Sequence, residues 1–343
     1  MKRKNLWIVL IISLCFIISG VMITEAEAAS ETNKVWNLKM QALWPPSHVF
    51  YNEVIPKFIN RVETASGGRI KIELHPGGSL APTSGVFDAL GAGVIDIADH
   101  AMFYEMGKFP LGNFAHWLPF STKEPEQWWS LVYRYGLIDL YRQAYKPYGV
   151  YYLGPNMEGD YGASIGKKPV RTLNDFKGMT IRAGGPVAKI YEALGASTTL
   201  VPYAELYTSL ATGVFDAITA GTPKTHFDLK LHEIAKYYIL PPFTPTSTTE
   251  IDVSMRTWNK LPDDLKAIIT TAQQATAWDY YEAQKDGDKK AVEAMKAAGV
   301  EFIELPAADI AKLEEIARSQ WDSLATDDLS RKALAIIKAY IGK

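Results

Sequence analysis

The phrase Leu90-Gly91-Ala92-Gly93-Val94-Ile95-Asp96 returns later in the chain as Leu210-Ala211-Thr212-Gly213-Val214-Phe215-Asp216. In each copy the tail of a helical pattern meets a glycine suited to a left-handed C-cap and passes into a short apolar strand. A chain that uses this unit twice is constrained to an α/β fold, with strands and helices alternating. The flanking pattern agrees. Residues 35–43 alternate apolar and polar, Trp44-Pro45-Pro46-Ser47 breaks them, and 49–64 carry helical spacing through Phe50, Val54, Phe58 and Val62. Residues 69–75 alternate again, and a helix over 86–90 leads to a third strand at 94–98, an order that predicts parallel pairing.

A second cycle follows, with strands at 163–165 and 179–182 and helices at 188–194 and 203–212. From Pro262 the pattern is helical, with Asp263 and Asp264 in a first turn and apolar periodicity to about 298. Gly287 is where this helix is expected to bend. A strand at 300–305 and helices at 308–323 and 328–341 complete the chain. At 343 residues, 48% hydrophobic and 22% charged, the sequence suffices for two globular domains. Its net charge of −2 offers no concentrated basic surface, which excludes a nucleic-acid partner.

The start of the chain has a different character. Lys2-Arg3-Lys4, the apolar run 6–23 and Ala26-Glu27-Ala28 form the n-region, h-region and A-x-A site of a secretory signal peptide over 1–28. The sole cysteine, Cys15, lies within it, so the exported chain has no thiol for nucleophilic, redox or metal chemistry. A periplasmic location is expected.

Motifs for catalysis are missing. There is no P-loop and no G-x-S-x-G elbow, and Leu231-His232-Glu233 lacks the second histidine of a zinc protease. The histidines at 48, 75, 100, 116, 226 and 232 show no metal-ligand spacing; His48 and His100 are the better site candidates because they follow strands. AGGPVA after Arg182 departs from the dinucleotide-binding G-x-G-x-x-G. What stands out is Arg182 itself, a permanent charge at the end of an apolar strand. Desolvating guanidinium is costly unless a carboxylate meets it with paired hydrogen bonds, so either an internal acid or a ligand carboxylate is its partner. Aromatic residues in loops after strands, Trp44, Phe103, Tyr104, Tyr161 and Phe243, would wall a pocket there.

The segments Asn174-Asp175-Phe176-Lys177-Gly178-Met179-Thr180-Ile181-Arg182, Val201-Pro202-Tyr203-Ala204-Glu205-Leu206 and Thr212-Gly213-Val214-Phe215-Asp216-Ala217, with GGRIKIELHPGGSLA and WNKLPDDLKAII, closely resemble the DctP-type solute-binding proteins of TRAP (tripartite ATP-independent periplasmic) transporters. The resemblance covers essentially the whole mature chain. It implies a non-enzymatic receptor with a two-lobed periplasmic binding-protein fold, type II-like, with central mixed sheets and crossover strands near 150–154 and 241–246. Lobe I would comprise 29–153 plus about 243–265, and lobe II 154–242 plus about 290–343. A helix over about 262–298 would span both.

The resemblance further implies that Arg182 grips a ligand carboxylate. Asn156-Met157-Glu158-Gly159 and Ala235-Lys236-Tyr237-Tyr238 are similar to the branch that binds 2-oxo and 2-hydroxy monocarboxylates, in which the position of Asn156 orients the ligand. The expected ligand-binding set is Arg182, Asn156, Glu158, Thr219, Thr222, Trp44, His48, Tyr104, Tyr161 and Phe243, with Tyr203 and Glu205 behind. Where some members carry an acidic metal ligand and a tryptophan, this chain has Thr219 and Ala220, which leaves a cation beside the carboxylate open and would enlarge the pocket. No cofactor is expected; the partners are a small organic acid and TRAP membrane subunits. A ligand-sensing subunit on the same fold, or an exported enzyme acting on an organic acid, are the alternatives.

Overall fold

The computed structural model describes residues 34–115 and 118–342; residues 1–28, expected to be a signal peptide, and His116 lie outside the described residues. The first sheet has the order β2-β1-β3-β10-β4, from strands β1 (Trp36–Gln41), β2 (Ile70–His75), β3 (Ile97–His100), β4 (Val150–Tyr161) and β10 (Thr244–Ser254). β1 pairs in parallel with β2 and β3, whereas β10 runs antiparallel to both β3 and β4. The second sheet has the order β11-β9-β5-β8-β6-β7. Its strands are β5 (Ser164–Gly166), β6 (Thr180–Arg182), β7 (Ser197–Thr199), β8 (Ala217–Ile218), β9 (Tyr237–Leu240) and β11 (Glu301–Glu304).

Each repeated helix–glycine–strand phrase feeds one sheet. Helix α2 (Val86–Ala92) ends on Gly93, whose φ of 72° lies in the left-handed region, before β3. In the second lobe, Gly213, at φ 84°, links a helix to β8 in the same manner. Further helices of the first lobe include α1 (Ile55–Ala65), α3 (Pro125–Tyr133) and α4 (Leu137–Tyr145). The second lobe holds α5 (Gly185–Ala193), α6 (Leu206–Ala211) and α7 (Pro223–Asp228). Both sheets are mixed and the architecture is α/β, as expected.

The long helix α8 runs unbroken over Asp263–Ala297 and packs on α1, β4 and α7, so it contacts both lobes. The helix continues through Gly287 without interruption. A Cβ there would sit 2.1 Å from Lys224 Cδ, so the glycine admits the side chain of α7 against the helix. The resemblance implies that about 290–343 belong to lobe II; in the structure the C-terminal segment packs on both cores. Leu313 and Ala317 of α9 (Ala307–Leu324) join the second-lobe core with Ile181 and Ile190. Trp321 and Leu324, with Ala333, Leu334 and Ile337 of α10 (Asp328–Ile341), complete the first-lobe core beside Leu131 and Tyr141.

Candidate functional site

Arg182 closes β6 with its side chain 1% exposed. Three of its five N–H groups are spent on neutral carbonyls: Nε and Nη2 donate to Val201 O at 3.2 and 2.9 Å, and Nη1 donates to Thr219 O at 3.1 Å. One N–H on each terminal nitrogen is left over, the pair that a carboxylate engages side by side. The Tyr203 ring lies 5.2 Å from the guanidinium carbon. Among the described residues no carboxylate oxygen comes within 4.0 Å of this arginine. The charge is buried, held in place and not neutralised.

The arginine lines a cavity of about 10 Å³ between the lobes, with Leu43, Trp44, Phe103, Tyr104 and Thr249 from the first and Glu158, Tyr161 and Tyr203 around it. Gly184 is needed for this closeness, since a Cβ there would lie 2.6 Å from Phe103 Cζ. A second cavity of about 200 Å³ adjoins the first through Leu43, Trp44, Tyr104 and Tyr203 and continues to Pro45, His48, Pro202 and Leu229. Trp44 and His48 stack with centroids 3.9 Å apart, and Tyr203 meets Trp44 edge-on at 5.0 Å. Burial, and then Lys224, push the His48 imidazole down to about 3, so it is neutral.

Glu158 is the one carboxylate in the inner cavity. Ser247 Oγ donates to its Oε2 at 2.6 Å, while Oε1 has no hydrogen-bond partner. Burial, and more weakly the charge of Asp288, raise its carboxyl to about 7, only partly offset by Ser247. An acid paired to Arg182 would move the other way.

The structure brings Trp44, Tyr104, Glu158, Tyr161 and Arg182 to one cavity and His48 to its neighbour. It does not bring the rest. Asn156 lies one step back, where Nδ2 donates to Asp99 Oδ1 and Thr249 Oγ1, both at 3.2 Å. Thr219 serves through its carbonyl on Arg182, and its hydroxyl is 3.0 Å from Tyr191 OH. Thr222 donates to Asp288 Oδ1 at 2.6 Å and accepts from Gln284, which ties it to α8. Phe243 stacks on Phe120 and meets the Tyr191 ring at a tilt behind the site. Ala220 is buried with Leu206, Leu210 and Phe215 and lines neither cavity. Sequence reasoning named Phe103 as a pocket wall and placed Tyr203 behind the site, whereas both line the cavity; it left out Thr249 and the Val201 carbonyl. Tyr203 follows Pro202 at a helix start, a signal that was available; a backbone carbonyl carries none.

Residues 40–328 match the family model described as bacterial extracellular solute-binding protein, family 7. The chain belongs to this DctP family. It is therefore a solute receptor of the TRAP type and not an enzyme. The DctP chain is 29% identical over 255 residues to a monocarboxylate 2-oxoacid-binding periplasmic protein of Nostoc sp., covering 73% of this chain and 68% of that one. Its fold matches a TRAP periplasmic solute-binding protein of Colwellia psychrerythraea with bound calcium and pyruvate, at TM-score 0.79 and 25% identity over 90% and 95% of the two chains. A homologue from Pseudoalteromonas atlantica with bound sodium and pyruvate matches at TM-score 0.80 and 25% identity, over 90% and 94%.

The cation of those relatives does not fit the residues present here. A hard cation collects about six or more oxygen ligands. In this DctP chain the cavity offers one carboxylate, Glu158, beside a guanidinium, and the Thr219 hydroxyl is engaged by Tyr191.

Proposed function

We propose that this protein is an extracytoplasmic receptor that takes a small organic monocarboxylate on Arg182 and delivers it to the membrane subunits of a TRAP transporter. The observation that carries this reading is the buried guanidinium with two unspent N–H groups and no acid against it. A ligand carboxylate completes that geometry and removes the cost of an unpaired buried charge. Arg182 is the sole Lys or Arg lining either cavity, so a second carboxylate on the ligand would find no counter-charge. This favours monocarboxylates over dicarboxylates. Glu158, protonated below about pH 7, carries an O–H that can be given to a 2-oxo or 2-hydroxy oxygen. Pyruvate in the solved relatives and the 2-oxoacid specificity of the Nostoc protein accord with that class.

Isothermal calorimetry of the exported chain with pyruvate, longer 2-oxo monocarboxylates and succinate tests the reading. Monocarboxylates should bind and succinate should not. Arg182→Ala should weaken binding by about 3 kcal/mol, a hundredfold, with an unchanged far-UV spectrum. Retained affinity in that variant rejects the carboxylate assignment.

A further inference from the structure

Strands β3 and β10 pair with Glu250 opposite His100 and Asp252 opposite Ala98. Strand alternation therefore sets His100, Glu250 and Asp252 on one face of the first sheet, while Asp99 and Ile251 turn to the other. All three are sealed from solvent, and the Phe87 ring stacks over the imidazole with centroids 5.6 Å apart. His100 Nδ1 is 3.3 Å from Glu250 Oε1 and 3.5 Å from Asp252 Oδ2. Yet neither imidazole nitrogen and neither Asp252 oxygen makes a hydrogen bond. Three buried polar groups converge without the angles that would satisfy one another, which is costly for a bare hydrogen-bond cluster.

The spacing suits a different partner. Ligand atoms held tetrahedrally at about 2.0–2.2 Å from one zinc ion lie about 3.3–3.6 Å apart. We propose that His100 Nδ1, Glu250 Oε1 and Asp252 Oδ2 bind a divalent transition ion of the zinc class, as a structural site inside the first lobe and distinct from the Arg182 cavity. These donor atoms all lie within 4.8 Å of one another. Imidazole nitrogen and carboxylate oxygen are donors that borderline ions accept together. The surroundings supply the outer contacts such a site needs. Glu105 Oε1 is 3.6 Å from His100 Nε2, the far nitrogen, and is itself held by Lys108 at 2.9 Å. Tyr145 OH donates to Glu250 Oε1 at 2.8 Å. Glu105 is thus the carboxylate nearest the far nitrogen, within a small shift of the contact that holds a ligating ring. The charges balance as well: two carboxylates against a divalent ion with neutral imidazole, and Glu105 against Lys108.

A site closed to solvent is loaded as the chain folds. The exported chain is unfolded in guanidinium with chelator, refolded with zinc or with EDTA, desalted, and assayed for metal content and melting temperature. One ion per chain and a midpoint several degrees higher in zinc are expected. With Asp252 Oδ1, likewise without a hydrogen-bond partner, as the fourth donor, cobalt refolding should give the intense visible bands of a four-coordinate ion, lost in His100→Gln and Asp252→Asn. A wild-type chain that refolds without a stoichiometric ion, or melts identically in zinc and EDTA, overturns the site. So does full metal retention in folded Asp252→Asn. Should neither variant fold, the wild-type cobalt spectrum decides, since weak octahedral bands also overturn it.

Discussion

Glu158 shares a cavity with Arg182 yet behaves as an acid held by its burial. Its folded-state value of about 7 lies above its ordinary 4.5, and Asp288, at about 7, and Asp160, at about 6, are raised above 3.8 for the same leading cause. Between the ordinary and the raised values the folded chain holds protons that the unfolded chain has lost. The slope these acids contribute to the unfolding free energy is negative there, opposed below about 6.5 by His48 and His226, which burial holds at about 3. Melting temperatures should therefore fall from about pH 6.5 to 8, and Glu158→Gln should flatten part of that decline. Affinity for a monocarboxylate should weaken above about pH 7 in the wild type, as a second anion appears beside the ligand, and not in Glu158→Gln. At this scale Arg182 was legible in the sequence because a permanent charge interrupts an apolar strand. The roles of Thr219 and Thr222 were not, because a threonine in a loop carries the same pattern whether it offers its hydroxyl, its carbonyl or neither.

Among the elements, β4 and α8 decide how the lobes are joined. Gln273 of α8 donates to Pro155 O at 2.7 Å, and Tyr133 OH donates to Gln273 Oε1 at 3.2 Å. Gly154 makes room for this, since a Cβ there would lie 2.2 Å from Gln273 Oε1 and 2.5 Å from Tyr133 OH. Gly154→Ala should cost about 1–3 kcal/mol through overpacking and the lost contact, read as a lower midpoint in urea with the m-value unchanged. The crossover was expected at 150–154, whereas β4 extends over Val150–Tyr161. Most of its residues are buried on both faces, so the period-two signal that marks a half-buried strand is absent. The third strand likewise runs over Ile97–His100 and not 94–98. The chain leaves the Gly93 cap with Val94 60% exposed before it enters the sheet.

For the whole molecule, the cavity at Arg182 has room for about one water, and Phe103 from one lobe lies against Gly184 of the other. On the proposed reading an organic acid reaches the arginine when the lobes part by hinge motion. Small-angle scattering should show a larger radius of gyration in the ligand-free chain, a decrease on adding a bound monocarboxylate, and no decrease in Arg182→Ala. Equal radii with and without ligand would contradict hinge closure. The order of strands and helices, the repeated helix–glycine–strand unit and the isolated arginine followed from sequence alone, because periodicity, caps and charge cost are local properties. Whether that arginine meets an internal acid, and that His100 faces Glu250 and Asp252 across 150 residues of chain, were decided by tertiary structure alone. Strand register and lobe packing bring together groups whose separation along the chain has no bearing on their distance in space.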